Sequence, residues 1–345
     1  MKKVLIIGGG IAGGSLAIQL LEKGLNVTVL DRGENHSSVI ATGMVNPMVF
    51  RRMNLSWRAQ EFLPYARGFY TGLEKKFGVS FLEDLKIRRF FSSEQERGYW
   101  QTKQNEELYK DFLTVHEDFE IPIPNAKSEF GSGVVKSAFW IRSETFMTSL
   151  HDYLRLKEVL KIEAFEEHLF SQTELEYKDI KYDAVVFCCG SNNDKIPFFQ
   201  AAKIQYNRGQ ILDLESEELP EKESWNRKGF ILPIGSNKFK LGATYEWNEQ
   251  ELKTTEEARD KLEFVINNIT DLPYTVVDHK VGMRPTVSDR RPVLGMHPEH
   301  KGLFIFNGLG TKGYMLAPLL SFEMAEYMAN GKPLHKEVEY TRFIK

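Results

Sequence analysis

The run Gly8-Gly9-Gly10-Ile11-Ala12-Gly13 limits the possible folds more than any other part of this chain, because it separates an apolar strand-like run at 4–7 from a helical pattern at 15–23. Glycines at 8, 10 and 13 fit G-x-G-x-x-G, whose three positions serve a tight turn, close approach of backbone to a pyrophosphate, and close packing of helix on strand. The phosphates then lie at a helix N-terminus, where free N–H groups and the helix dipole favour negative charge. Gly24 ends the helix, residues 26–30 read as a second strand, and Asp31 follows where a carboxylate can take ribose hydroxyls. Strand, glycine turn, helix and strand open a parallel doubly wound sheet of the α/β class. NAD and FAD both suit this unit. Asp31 disfavours the 2′-phosphate of NADP, with Arg32 beside it as the one contrary feature.

The 345 residues suffice for two domains. Aromatic spacing predicts a long helix over 57–77, interrupted or restarted at Pro64. Strand-like alternation at 79–91 and 131–141 flanks a charged helical stretch at 93–112, and Ser143 reads as the N-cap of a helix through Leu154. The run at 183–187, apolar after Asp183, requires cover on both faces and belongs to the first sheet. Residues 208–214, 229–232 and 239–244 alternate like an antiparallel sheet, with a capped helix over 254–269. A final strand at 303–306 leads through a second glycine turn into a closing helix. The pattern is a nucleotide-binding domain built from 1–77, 142–200 and 285–345, with a substrate domain from 78–141 and 201–284 inserted into it.

A formal net charge of -3 gives no basic excess for nucleic acid, and no run reaches the roughly 18 apolar residues of a membrane span. The opening charges and apolar run resemble a secretory leader only superficially, since glycines break the run at once and no small-residue cleavage site follows. A cytoplasmic protein is expected. The only cysteines, Cys188 and Cys189, are neighbours in a strand and point to opposite faces. They therefore neither share a metal nor form an ordinary disulfide, and no metal site is expected.

The stretches GGGIAGGSLA with VTVLDRG, ATGMVNP, DAVVFCCG, GMRPTVSDRRPVLG and NGLGTKGYMLAP resemble, in order, the D-amino acid oxidase and glycine oxidase family. That family also contains the flavin domain of a bifunctional tRNA-modifying enzyme. The resemblance implies a glutathione-reductase-type flavoprotein: a Rossmann-like FAD-binding domain carrying an antiparallel-sheet substrate domain. By it, FAD is the dinucleotide, held by Gly8, Gly10, Ile11, Ala12 and Gly13, by Asp31 and Arg32, and by Ala41, Thr42, Gly43 and Met44 beside the flavin. Gly190 would let a strand end against the cofactor, and His168 would touch the adenine through its main chain, the alternative being an exposed loop histidine. The closing turn, Gly308, Gly310, Thr311, Lys312 and Gly313, would aim N–H groups at the region where reduction places charge. Lys312 would add to that field, or point to solvent. Sarcosine oxidases attach flavin through a cysteine near this turn; none occurs here, so non-covalent FAD is implied.

On the substrate side, the resemblance makes Arg284 the carboxylate-binding arginine, for which a planar bidentate fork is suited. A structural ion pair with Asp289 is the alternative. Tyr245 is a candidate pocket residue. Two positions depart from the glycine oxidases: Phe230 stands where they carry a tyrosine, and Thr311 where they carry an arginine. The implied reaction is oxidation of an amine or amino acid C–N bond, with O2 or another electron acceptor. Trimming of a carboxymethylaminomethyl tRNA base and a flavin-binding protein without turnover are the other readings.

Overall fold

The computed structural model describes residues 2–34, 37–115, 122–247, 249 and 251–344. Its first sheet has six strands in the order Val293–Met296, Leu303–Asn307, Ala184–Phe187, Lys3–Ile7, Asn26–Asp31, Leu160–Ile162. Every neighbouring pair is parallel except the first, so the doubly wound sheet carries one antiparallel edge strand. That edge strand is only four residues long and follows a proline, too short a signal for alternation to reveal. The two central strands are buried on both faces, which is why they read as unbroken apolar runs.

On one face the helices Ile11–Glu22, Ala59–Phe77 and Gly313–Asn330 pack against the sheet and one another. The other face is covered by a separate cluster that includes Phe187, Phe199 and Tyr340. The helix Ala59–Phe77 is continuous, contrary to the expected break at Pro64. Pro64 lies exposed near the helix start and Gln60, whose carbonyl loses its partner, is exposed to water. The helix expected to be capped by Ser143 runs over Ser143–Leu156 with Arg142 as its cap, because the Ser143 hydroxyl instead donates to the Val39 carbonyl at 3.0 Å. The charged stretch at 93–112 is α-helical over Glu94–Lys103, with a 3-10 turn at Glu107–Tyr109, and the 254–269 stretch is helical over Glu256–Asn267. Ser93 and Thr255 cap these two helices by accepting from the N–H groups of Glu96 and Ala258.

The second sheet runs Glu246–Trp247, Gln205–Glu215, Lys238–Gly242, Phe230–Gly235, Ser224–Asn226, Leu82–Phe90, Ser132–Ile141, Met44–Val45, with Thr275–Thr286 also paired to Gln205–Glu215. All its pairs are antiparallel but one. Its strand Met44–Val45 lies inside the range expected for the nucleotide domain, and Thr275–Thr286 passes the expected boundary at 284. The chain crosses between the sheets at both places, so short pieces of each range serve the other sheet.

A cluster of aromatic rings joins the two halves. Tyr70 and Phe81 each lie 5.2 Å from Phe146, and Phe139 from the second sheet meets Tyr70 edge-on. Tyr70 is fully buried, and its hydroxyl donates at 2.8 Å to the Tyr314 carbonyl in the first turn of the closing helix. Replacing Tyr70 by Phe leaves that carbonyl without this donor inside the core. The Tyr70→Phe protein is expected to lose about 1–2 kcal/mol of unfolding free energy in a urea titration, with the transition slope unchanged.

Candidate cofactor and substrate site

At the head of the central strand the backbone packs directly on backbone. Gly8 has φ +106°, and a Cβ there would stand 2.4 Å from the Cys188 carbonyl oxygen. A Cβ at Gly13 would stand 1.9 Å from the Gly8 carbonyl oxygen. The helix that follows begins at Ile11 with Gly10 as its cap and no side-chain capping bond. Buried Asp31 supports the turn: one carboxylate oxygen accepts from Gly9 N at 2.7 Å, the other from Gly33 N at 2.8 Å. His151, which the sequence does not single out, bonds the Gly9 carbonyl at 2.8 Å.

A cavity of about 450 Å³ runs from this turn to Arg284. Gly8, Gly10, Ile11, Ala12, Asp31, Arg32, Ala41, Thr42, Gly43, Met44, Gly190, Gly310, Thr311 and Gly313 line it, as do Tyr245 and Arg284. Gly13 and Gly308 stand behind the lining as packing glycines; a Cβ at Gly308 would meet the Val287 side chain at 2.7 Å. His168 is not on the cavity. It occupies a short turn, Glu167–Leu169, with its side chain largely exposed, and the chain meets the cavity earlier, at Glu163, Ala164 and Phe165. The signal for those three is the edge strand Leu160–Ile162, which ends immediately before them.

The segment at 41–44 is stitched to the second sheet. Trp140 donates from its indole N–H to the Thr42 carbonyl at 2.6 Å, and Ile141 N donates to the Gly43 carbonyl at 3.0 Å. Gly43 has φ +73°, and a Cβ there would lie 1.8 Å from the Ile141 carbonyl oxygen. The short helix Ser37–Ile40 joins both ends of the cavity: Ile11 N donates to Ser38 Oγ at 3.0 Å, while Ser37 Oγ donates to the Met283 carbonyl at 2.5 Å. Side-chain-free glycines, a helix start and a long cleft between two sheets are the features a dinucleotide with an extended ring system requires, and the residues present fit FAD.

At the far end Arg284 lies opposite Asn207 on the paired strands. Its Nη1 donates to Asn207 Oδ1 at 2.7 Å and to the Thr244 carbonyl at 3.0 Å. Gly209 makes room for it, since a Cβ there would fall 2.1 Å from the guanidinium. The Tyr245 ring, itself 61% exposed, covers the guanidinium at 4.7 Å. Burial lowers the Arg284 pKa, against smaller raising effects of Tyr245 and Glu246. Among the described residues no carboxylate lies within ion-pair distance of Arg284. Asp289 is bonded to Arg342 instead. Ile211, Phe230 and Ala243 form an apolar wall beside it.

Lys312 turns away from the cavity lining. Its Nζ donates to the Asn46 carbonyl at 2.7 Å and more weakly to that of Met48, and burial pushes its pKa from 10.5 down to about 8. Cys188 and Cys189 both line the cavity, and burial raises both thiols, Cys189 to about 12. Neither is poised as a nucleophile.

Fold and cavity together define a dinucleotide-binding protein whose cofactor cleft opens onto a pocket under a second sheet. The chain belongs to the DAO family of FAD-dependent oxidoreductases, whose family model matches residues 3–327. It is 25% identical to the uncharacterized oxidoreductase YurR of Bacillus subtilis, over 94% of each chain. It is 22% identical to the tRNA 5-methylaminomethyl-2-thiouridine biosynthesis bifunctional protein MnmC of Saccharophagus degradans, covering 92% of this chain but 51% of that protein. The fold matches the crystal structure of glycine oxidase from Geobacillus kaustophilus with a TM-score of 0.80 at 16% identity, over 98% of both chains. Among the described residues no helix is long and apolar enough to cross a membrane, and no cluster of His, Cys, Asp and Glu could hold a metal.

The placement of Lys312 has a pH signature. The folded chain gives up its proton near pH 8 and the unfolded chain near 10.5, so the unfolded state binds more protons between those values and stability gains with rising pH. Relative to Lys312→Met, the parent protein is expected to gain unfolding free energy steadily across that window in urea melts at successive pH values. A flat difference would place the ammonium in water.

Proposed function

We propose that the protein oxidises the C–N bond of an amino acid or other amine bearing a carboxylate, using non-covalently held FAD. The observation that carries this is Arg284. A guanidinium withdrawn from much of its water without a countercharge is costly unless something compensates it, and for half-buried Arg284 the compensation among the described residues is a neutral amide, a backbone carbonyl and an aromatic face. The missing anion is supplied by the substrate, whose carboxylate is bound bidentately by the part of the fork that faces the cavity.

FAD held by these residues would supply the redox chemistry, a two-electron acceptor for oxidation of the C–N bond, with O2 or another acceptor to reoxidise it. The protein's own groups orient and enclose. Arg284 fixes the carboxylate, while Ile211, Phe230 and Ala243 exclude water from the reacting carbon. The carboxylates on the cavity are Asp31, Glu34 and Glu163, which follow the adjacent strands Asn26–Asp31 and Leu160–Ile162 at the nucleotide end. Among the described residues no carboxylate lines the cavity beside Arg284, which suits an amine that arrives neutral. The adenosine end is assigned to Asp31, Arg32 and the Glu163–Phe165 segment, the pyrophosphate to Gly8–Ala12, and the flavin to Ala41–Met44 and Gly310–Gly313. Non-covalent binding is supported by the only two cysteines of the sequence, buried Cys188 and half-buried Cys189, whose thiols stay protonated.

Anaerobic mixing with a panel of amino acids should bleach the flavin. The Arg284→Ala protein is expected to keep its FAD yet lose about 100-fold or more in the efficiency of reduction by carboxylated amines. Undiminished reduction would remove the assignment, and no bleaching by any amine would favour a flavin-binding protein without turnover.

The MnmC relatives support a second reading, in which the amine is part of a modified tRNA base. The chain spans about half the length of those proteins. If tRNA is bound through its phosphates, affinity must fall steeply with salt. With a formal charge of -3, the expected slope is near zero.

A further inference from the structure

Adjacent residues of a strand face opposite sides of its sheet, and directly paired residues face the same side. In Gln205–Glu215, Asn207 and Gly209 therefore share the cavity side with their partners Arg284 and Gly282, while Arg208 and Gln210 share the back. Arg208 is also paired directly with Glu246 on the edge strand. On the back, Arg208 donates from Nε to Glu246 Oε2 at 2.7 Å and from Nη2 at 2.5 Å. Gln210 Nε2 donates to Glu246 Oε1 at 3.0 Å, and the Thr244 hydroxyl to the same oxygen at 2.8 Å. Burial alone would raise the Glu246 pKa, but the bonds from Thr244, Arg208 and Gln210 outweigh it and keep the carboxylate charged.

This assembly touches Arg284 in two ways. The Thr244 hydroxyl accepts from Gln210 N at 2.9 Å while donating to Glu246, which fixes the residue whose carbonyl holds Arg284 Nη1. The charge of Glu246 also reaches Arg284 through the sheet. Glu246 is thus the carboxylate best placed to cancel the guanidinium's field, and Arg208, itself 7% exposed, pairs with it closely, with Glu249 farther off at 3.8 Å.

We propose that Arg208 and Glu246 form a positioning pair that sets the carboxylate affinity of Arg284, with Arg208 neutralising Glu246 so that the cavity face carries one uncompensated positive charge. The proposal rests on the reading of Arg284 as the carboxylate anchor. Its consequence is that affinity for carboxylates shifts in opposite directions when either member of the pair is neutralised. A pair that merely braced the fold would weaken binding in both cases.

The test uses the FAD-loaded protein and acetate as the probe, followed through the change it causes in the flavin absorbance. Arg208→Gln is expected to raise the acetate Kd about tenfold, equivalent to about 1.4 kcal/mol, and Glu246→Gln to lower it severalfold. The double variant should return to within about threefold of the parent, since the two charge changes cancel. With an amine substrate the effects should fall on KM rather than kcat. Arg208→Lys, which keeps the charge on a different fork, should bind acetate nearly as the parent does, and it serves should Arg208→Gln fail to fold. Shifts in the same direction without recovery in the double variant, or no shift in either, would overturn the pair's role. An Arg284→Ala protein with unchanged acetate affinity would instead overturn the carboxylate anchor itself, whatever the pair does.

Discussion

The site depends on one place where main chain meets main chain with no side chain between. Gly8 rests on the Cys188 carbonyl, and Gly13 rests on Gly8 in turn. Any Cβ at either position would overlap an oxygen, and no rotamer change relieves an overlap that begins at the backbone. The contact brings the start of the Ile11–Glu22 helix down onto the strand ends, so its first turn, with the Ile11 N–H held by Ser38 Oγ, lies where the two central strands stop. Asp31 and His151 fix the middle of the turn from opposite sides. The cavity, its orientation and the separation of its nucleotide end from its arginine end follow from that arrangement.

Much of this is legible before any coordinates, and the reason differs from part to part. The central strands announce themselves as apolar runs because both faces are covered, and the turn because only glycine tolerates such proximity. Arg284 is legible through a local motif, yet its surroundings are not. Asn207 and Gly209 reach it by strand pairing across more than 70 positions, a separation no local pattern encodes. The same limit hides Ser37, Ser38 and His151, polar residues whose neighbours are distant in sequence. His168 illustrates the opposite error: a short strand beforehand is real, but the chain leaves the cavity three residues before the histidine. Lys312 sits in a legible motif, while the direction of its side chain is decided by the carbonyls of Asn46 and Met48.

Two half-buried cations are handled by different means. Lys312 is met by carbonyl oxygens alone, and its proton affinity falls accordingly. Arg284 cannot shed its proton in any ordinary range, so neutral acceptors and the Tyr245 ring hold it charged. A strand's alternation then sorts the remaining charge: the balanced pair faces away from the cavity and the unbalanced one faces into it. The sheet acts as an electrical partition as well as a scaffold.

The strand Met44–Val45 belongs by pairing to the second sheet, although the chain that carries it comes straight from the nucleotide half. Met44 itself and the three residues before it border the cofactor cavity. The two halves are therefore mechanically in series at this point, like links sharing a single pin. A ligand that orders this segment therefore orders backbone that is hydrogen-bonded into the second sheet as well.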